Sequence, residues 1–362
     1  MKSPVADSAC TERDGTEAGP RLPAVVHAHG FSLRKLSFVR DFAAPSKVHS
    51  VDHGDQVPGG GTLLLWGRAE PPPGLPAGVR FVRVEDGFLR SVGLGAALVR
   101  PLSLAFDTRG IHFDATMPSD LEHLLQHATF DDCLLARAAA LRTRVVARGT
   151  TKYNVGGAPW VRPSDVRRVV LVPGQVESDA SLAFGSPRIR RNIDLLRAAR
   201  AMEPGAHLVY KPHPDVVAGL RGEGDGEDSA SAFCDEILTN APMGPLLPAV
   251  DAVHVLTSQT GLEALLRGKE VTCHGQPFYA GWGLTTDLVP VARRTRRLAL
   301  DELVAAAYIL YPSYVSGMTG RHVAAEDVLD ELEAQRARTP SRFARVLEAT
   351  LWPVARRFLR RP

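Results

Sequence analysis

The chain has 362 residues, of which 44% are hydrophobic and 23% are charged, and its formal net charge is +3. Because a single hydrophobic core usually stops growing below this length, we expect two domains. The small net charge does not favour nucleic-acid binding, which usually needs a concentrated basic face. The four scattered cysteines lack the paired spacing of a zinc site. The composition is therefore that of a globular protein without a nucleic-acid partner.

The two ends of the chain differ from the rest. Residues 1–21 are polar and Gly-rich, so we predict disorder there and no secretory signal. No apolar run approaches the ~20 residues of a membrane-spanning helix, which favours a cytoplasmic protein with peripheral membrane contact at most. Residues 336–362 mix arginines with bulky apolar side chains and predict a basic amphipathic helix. That helix could lie on an anionic membrane or pack back on the N-terminal domain.

Residues 22–160 are predicted to form an N-terminal α/β domain. Short apolar runs separated by Gly/Pro-rich loops predict strands at 24–28, 47–51, 62–66 and 80–84. Ser119 followed by Glu122 predicts a capping box at a helix start, and a second helix should cover 131–147. A segment rich in glycine and proline around residues 156–163 marks the domain boundary.

Residues 161–335 alternate between predicted strands and helices. The strands are expected at 169–172, 207–210, 251–255 and 270–273. A helix is expected at 187–202, with Ser186 as its N-cap and Pro187 in its first turn. This alternation favours a parallel, doubly wound sheet, which binds ligands at the carboxyl ends of its strands. The fold class is therefore α/β, with two Rossmann-like domains facing a cleft.

The segment Lys211-Pro-His213-Pro-Asp215 directly follows a predicted strand. Its two prolines stiffen the backbone, so the lysine and histidine side chains are held at the strand end. A lysine charge and a histidine donor together suit the binding of a phosphate leaving group without a metal. The alternative is a rigid corner with a solvated lysine.

A second candidate site begins at Thr257 and Ser258, which follow the next predicted strand and start a helix. Free amides and the helix dipole at such an end bind phosphate well. Glu263, about one turn further along, could accept hydrogen bonds from ribose hydroxyls. The alternative is ordinary capping by Ser258 and a surface Glu263.

Acidic side chains follow strands in both predicted domains. Glu85, Asp86 and Arg90 follow a strand of the first domain, and Gln175 and Asp179 follow a strand of the second. Glycosyl transfer uses such carboxylates, one at the anomeric carbon and another at the acceptor proton. A lone Glu-Asp pair is more often a turn or cap, so only the combination supports this chemistry.

Two aromatic residues are further candidates for ligand contact, and several motifs of other enzyme classes are absent from the sequence. Tyr279 and Trp282 lie in the Gly-rich segment 277–283, which could present rings to a ligand or pack them in the core. No histidines are spaced as metal ligands, so we predict no metal, and His112 is interpreted as a core or loop residue. Neither a P-loop nor a dinucleotide-binding glycine motif occurs. These absences argue against a kinase or a nicotinamide dehydrogenase.

The motifs together resemble those of bacterial capsule polysaccharide biosynthesis proteins of the KpsC type. The shared segments are 85–95, the Gly174-Gln175 segment, Lys211-Pro-His213-Pro-Asp215, the Thr257-Ser258 helix and 277–284. The resemblance implies a GT-B-like fold and a retaining β-Kdo transferase. Such an enzyme moves Kdo from CMP-Kdo to a lipid-linked acceptor at the cytoplasmic face of the inner membrane, without a cofactor. Other capsule biosynthesis and export proteins are the implied partners.

The resemblance also implies roles for individual residues. Lys211, His213 and Ser258 would bind the CMP phosphate and Glu263 the ribose. Asp179 would be the nucleophile and Glu85 the acid/base, with Asp86 able to exchange roles with Glu85. Further contacts to the donor are expected from Gln175, Thr257, Arg90, Tyr279 and Trp282.

The chain departs from the family pattern in two ways. Ser178 stands where family members often carry an acidic residue, and the chain has room for one transferase module where KpsC-type proteins usually hold two. Two alternatives stay open at this point. The protein could transfer another CMP-activated nonulosonic acid, or it could be an inactive scaffold that binds CMP-sugar or lipid.

Overall fold

The computed structural model describes residues 20–92, 99–152 and 159–337. The greater part of the segment predicted to be disordered and the basic sequence of residues 338–362 lie outside the described residues. The same holds for the glycines at 93 and 95 and for those at 156 and 157. All twelve candidate site residues fall within the described ranges.

The N-terminal sheet has six strands in the order β12-β5-β4-β3-β1-β2. Strands β1 to β4 are parallel, whereas β5 runs antiparallel to β4 and β12 antiparallel to β5. The four predicted strands are confirmed to within two residues, but β5 and β12 were not predicted. The strands are β1 Val25–His29, β2 Lys47–Ser50, β3 Thr62–Trp66, β4 Arg80–Asp86, β5 Ser103–Asp107 and β12 Pro312–Tyr314.

The second sheet is parallel throughout and has the order β11-β10-β9-β6-β7-β8. Its central strand β6 is buried along its whole length, as the continuous apolar run predicts. The predicted doubly wound sheet is confirmed. The strands are β6 Val169–Pro173, β7 His207–Lys211, β8 Glu236–Ile237, β9 Ala252–Val255, β10 Glu270–Cys273 and β11 Thr286–Asp287.

Helices cover both sheets, and most begin at a polar cap. Ser119 caps α2 and Asp131 caps α3, each accepting a backbone amide. After α9 the chain continues as a π-helical segment, Ala305–Leu310. The helices are α1 Leu33–Ala43, α2 Asp120–His127, α3 Asp132–Ala147, α4 Ala180–Gly185, α5 Asn192–Met202, α6 Pro214–Val217, α7 Met243–Ala249, α8 Gln259–Leu265, α9 Leu300–Val304 and α10 Ala325–Ala337.

The predicted start of the helix at 187–202 is wrong. The helix α5 begins at Asn192, and Ser186 instead follows the end of α4, where its amide bonds to Leu182. The Ser186 hydroxyl donates to the carbonyl of Ile189, which holds the intervening loop. The residues just before Ser186 and Pro187 form the short helix α4. The Ser-Pro pair therefore marks the end of α4 and not the start of α5.

Residues of the C-terminal half also return to the N-terminal sheet. Strand β12 pairs with β5, and α10 packs on α3 through an ion pair between Arg137 and Glu326, 2.8 Å long. The segment after about residue 311 therefore completes the edge of the first sheet.

Glu122 joins the two halves of the chain instead of completing a capping box. Its amide bonds to Ser119, as predicted, but its carboxylate accepts hydrogen bonds from Arg293 and Arg294. The Arg294 side chain is 2% exposed and also donates to the carbonyls of Pro277 and Ala280, at 2.6 and 2.9 Å. The predicted reciprocal bond from Glu122 is therefore wrong, because the arginines compete for the carboxylate.

Glu122→Ala is expected to lower the free energy of unfolding by about 3 kcal/mol, because it leaves the buried Arg294 charge unpaired. Urea denaturation followed by circular dichroism measures this. Glu333→Ala is the control, because its ion pair with Arg148 is exposed and should contribute less than about 1 kcal/mol. Equal losses in the two variants would contradict the role given to Glu122.

Candidate active site

A cavity of about 800 Å³ opens where the carboxyl ends of strands from both sheets meet. Strands β4, β6, β7 and β9 all end at its wall. Ten of the predicted site residues line it, namely Glu85, Asp86, Arg90, Gln175, Asp179, Lys211, His213, Thr257, Ser258 and Glu263. Ser178, the position that departs from the family pattern, lines it as well.

The two adjacent carboxylates at the end of β4 differ in their surroundings. Asp86 accepts a hydrogen bond from Nε of Arg90 at 2.5 Å, so it is held in an ion pair. Glu85 accepts only the Asp86 amide, at 3.0 Å, among the hydrogen bonds of the described residues. Burial, and then the negative charge of Asp86, raise the pKa of Glu85 to about 7. Glu85 can therefore gain or lose a proton near neutral pH.

Asp179 comes from the opposite sheet and stands at the N-terminus of α4. Its Oδ1 accepts the Ser181 amide at 2.8 Å, which fixes the carboxylate at the cavity wall. Its Oδ2 accepts no hydrogen bond within residues 20–92, 99–152 and 159–337. The side chain is exposed and lines this cavity. A carboxylate so placed can act as a nucleophile.

Gln175 and Thr257 fasten the loops after β6 and β9 to each other. The Gln175 Oε1 accepts the Thr257 amide at 2.9 Å, and its Nε2 donates to the Thr257 hydroxyl at 3.0 Å. Asn192 accepts the Gln175 amide at 2.9 Å from the other side. Both polar atoms of the Gln175 side chain therefore hold the two loops together at the cavity wall.

Lys211 and His213 occupy the end of β7, as the sequence predicts. Burial lowers the pKa of Lys211 and lowers the pKa of His213 to about 4, so the imidazole is neutral at pH 7. The His213 Nδ1 accepts the Asp215 amide at 3.1 Å, which places the ring proton on Nε2. The pair therefore offers one ammonium group and one N–H donor.

Ser258 and Glu263 both belong to the helix α8. The Ser258 hydroxyl accepts the Thr260 amide at 3.2 Å, so it caps the helix at the cavity wall. Glu263 is 4% exposed and accepts the Lys152 amide at 2.7 Å. Burial raises the pKa of Glu263 to about 7. Glu263 is thus a buried residue of the cavity, not a surface carboxylate.

Tyr279 and Trp282 are buried behind the cavity wall and do not line it. The Tyr279 hydroxyl donates to the carbonyl of Ser258, and the Trp282 indole donates to the carbonyl of Phe278 at 2.7 Å. Gly261 leaves no room for a Cβ beside the Tyr279 ring. These rings therefore support the start of α8 and the loop that carries Phe278. The sequence had predicted that the two rings contact the donor.

Several cavity residues were not predicted from the sequence. Lys35 lies early in α1, with its Nζ 3.6 Å from the centre of the Trp66 ring. His112 follows β5 and was interpreted as a core or loop residue. Lys152 and Arg221 add positive charge. The position of Lys35 just after β1 could have revealed it, because parallel strands end at one edge.

Two kinds of feature are absent from the described ranges. No cluster of three or more His, Cys, Asp or Glu side chains has the arrangement of a metal site. No helix there has both the length and the apolar character needed to cross a bilayer.

Known sequences resemble the chain over most of its length. The sequence model of the family described as "Capsule polysaccharide biosynthesis protein" matches residues 75–152 and 134–321. The capsule polysaccharide modification protein LipA of Neisseria meningitidis serogroup A is 47% identical over 282 residues, which are 76% of this chain and 39% of LipA. The lipopolysaccharide-processing protein LpsZ of Rhizobium meliloti is 43% identical over 298 residues, 80% of this chain and 68% of LpsZ. The chain therefore spans about two fifths of the length of LipA.

Two solved structures share the architecture. The β-Kdo 2,7 transferase of Thermosulfurimonas dismutans KpsC is 38% identical with a TM-score of 0.71, and the match covers 86% of this chain and 99% of the other. The β-Kdo 2,4 transferase of the same KpsC is 33% identical with a TM-score of 0.74, covering 85% and 98%. They confirm the predicted fold class. The chain belongs to the capsule polysaccharide biosynthesis family and is a member of the KpsC type.

Proposed function

We propose that the chain transfers Kdo from CMP-Kdo, with retention, to a lipid-linked acceptor at the cytoplasmic face of the inner membrane. The observation that carries this proposal is the shared cavity. It holds Glu85 from one sheet and Asp179 from the other beside Lys211 and His213. The similarity to two Kdo transferases supports the choice of sugar.

In this proposal, the second sheet holds the nucleotide. Lys211 offsets the phosphate charge, and the Nε2 proton of His213 donates to a phosphate oxygen. Ser258 and the start of α8 add a further contact. The buried Glu263 accepts a hydrogen bond from a ribose hydroxyl. Its pKa is raised to about 7, so a substantial fraction of the Glu263 carboxyl is still ionised near pH 7 and can accept this bond.

The proposed reaction has two displacements at C2 of Kdo. In the first, a carboxylate oxygen of Asp179 attacks C2, the bond from C2 to the phosphate oxygen breaks, and CMP leaves with the electron pair. In the second, an acceptor hydroxyl attacks C2 and the ester to Asp179 breaks, which restores the carboxylate. The hydroxyl proton passes to Glu85 and then to water. Two inversions give net retention.

Glu85 suits the acid/base role better than its neighbour. A base is most effective when its pKa lies near the working pH, and the pKa of Glu85 is raised to about 7. Asp86 is instead engaged by Arg90. We therefore propose that Glu85 takes the proton of the acceptor hydroxyl and that Asp86 has a supporting role.

Incubation with CMP-Kdo and a synthetic Kdo-bearing lipid acceptor is expected to give the mass of one added Kdo. Lys211→Ala should weaken CMP binding by about 10- to 100-fold in calorimetry, because it removes a charge-assisted contact. Lys269→Ala is the control, since the half-buried Lys269 bonds to the carbonyl of Pro248 and does not line the cavity. Binding of CMP without turnover of CMP-Kdo would contradict the proposed transfer.

A further inference from the structure

His112 lies at the cavity wall among aromatic rings. It follows β5 and is partly buried, with its ring centre 5.0 Å from that of Phe88 and 5.9 Å from those of Phe278 and Tyr311. Packing alone does not require an imidazole at this position, because a phenyl ring would fill the same space. The two ring nitrogens therefore need an explanation.

A chain of hydrogen bonds leads from Asp107 through Tyr311 to His112. The Tyr311 hydroxyl donates to Oδ2 of Asp107 at 2.9 Å. Oδ1 of Asp107 accepts the amides of Arg109, Gly110 and Asp120 at 2.8 to 3.0 Å. Burial raises the pKa of Asp107, and these amide donors oppose that rise. Asp107 thus acts as the acceptor, and the single hydroxyl proton of Tyr311 is used in the hydrogen bond to Asp107.

The use of that proton bears on the tautomer of His112. The Tyr311 oxygen lies 3.4 Å from Nδ1 of His112 and can only accept, which favours the tautomer with the hydrogen on Nδ1. Burial also lowers the pKa of His112 to about 3, which keeps the ring neutral. Nε2 is therefore an unprotonated hydrogen-bond acceptor. This is the reverse of His213, whose Nε2 carries the proton.

The segment that carries His112 lies beside Glu85 in the cavity wall. A methyl group on Gly67 would be 3.1 Å from Oε2 of Glu85 and 3.7 Å from Cζ of Phe113, the residue after His112. The Glu85 carboxylate and the Phe113 ring therefore both lie beside Gly67. His112 and Glu85 both line the cavity from the half of the chain that forms the N-terminal sheet, whereas the phosphate-binding candidates come from the other sheet.

We propose that Nε2 of His112 accepts a hydrogen bond from a hydroxyl of the acceptor sugar and holds that sugar within reach of Glu85. This assignment rests on the proposed function. We assign His112 no proton transfer, because burial lowers the pKa of its ring to about 3. Its ligand is a polyhydroxylated sugar, recognised through a donor hydroxyl.

Two substitutions at His112 distinguish recognition from packing. The amide of glutamine reaches the position of Nε2, whereas that of asparagine reaches only the position of Nδ1. His112→Asn is expected to lower kcat/KM for the synthetic Kdo-bearing acceptor about tenfold, mainly through KM. His112→Gln should retain most of the wild-type value. A purely structural role predicts the opposite order, because asparagine keeps the contact with Tyr311.

The donor half of the reaction serves as the internal reference. Without acceptor, the wild type and both variants should form the Kdo adduct from CMP-Kdo at equal rates, measured by intact mass. Loss of the adduct in the variants, or unchanged acceptor kinetics, would overturn the role of His112. A wild type that forms neither adduct nor product would instead overturn the proposed function.

A change at Tyr311 tests the same chain of bonds without altering His112. Tyr311→Phe frees Nδ1 and should lower kcat/KM for the acceptor about threefold, with adduct formation unchanged. Tyr314→Phe is the matched control, because this buried hydroxyl bonds to the carbonyl of Tyr308 at 2.7 Å and does not line the cavity. Equal effects of the two tyrosine changes would overturn the proposal.

Discussion

Asp179→Ala is expected to lower the rate of transfer by about four orders of magnitude while CMP binding is retained. The nucleophile forms the covalent bond to C2. The nearby Glu177 carboxylate accepts the amides of Asn192 and Asp225 and does not line the cavity, so it should not replace Asp179. Lys211 and His213 keep their places at the end of β7, so the nucleotide still binds. Intact-mass spectrometry after mixing with CMP-Kdo should show one added Kdo on the wild type and none on the variant.

The helix cap must be separated from the chemistry, because Asp179 also caps α4. Asp179→Asn keeps an acceptor for the Ser181 amide but is a poor nucleophile, so it should be as inactive as the alanine variant. Asp131→Ala removes a comparable cap from α3, where Asp131 accepts the Leu134 amide at 2.9 Å, and should stay active. An adduct that persists in Asp179→Ala would assign the nucleophile to another residue.

The parts of the site that the sequence predicts are those at strand ends. A buried apolar run followed by polar residues predicts both a strand and the edge at which it ends. Parallel strands then bring such residues together, as Lys211, Ser258 and Asp179 show. Glu85 reaches the same cavity from the other sheet.

Contacts between distant segments could not be predicted in the same way. Tyr311 bonds to Asp107, 204 positions earlier, only because β12 returns to pair with β5. The histidine beside this pairing, His112, was therefore interpreted as a core or loop residue. Likewise, the aromatic content of the 277–283 segment does not tell which rings face the cavity. Phe278 does, whereas Tyr279 and Trp282 point behind the wall.

Glu85→Gln is expected to lower transfer by about 10² to 10³-fold, because glutamine cannot take the proton of the acceptor hydroxyl. The first displacement does not need Glu85, so the Kdo adduct should accumulate in this variant. In the wild type, the acceptor kcat/KM should rise with pH through a midpoint near 7, where half of the Glu85 carboxyl is ionised, and level off above it. That rise should be absent in Glu85→Gln.

Asp86→Asn provides the matched comparison, because the charge of Asp86 contributes to the raised pKa of Glu85. The rise in activity should move to lower pH in this variant, whereas Glu85→Gln removes it. Stability gives a second readout. The pKa of Glu85 is higher in the folded than in the unfolded state, so stability falls as pH rises from about 4.5 to 7. Glu85→Gln should therefore melt above the wild type at pH 8 but not at pH 4. A pH-dependent rise that survives in Glu85→Gln and disappears in Asp86→Asn would exchange the roles of the two carboxylates.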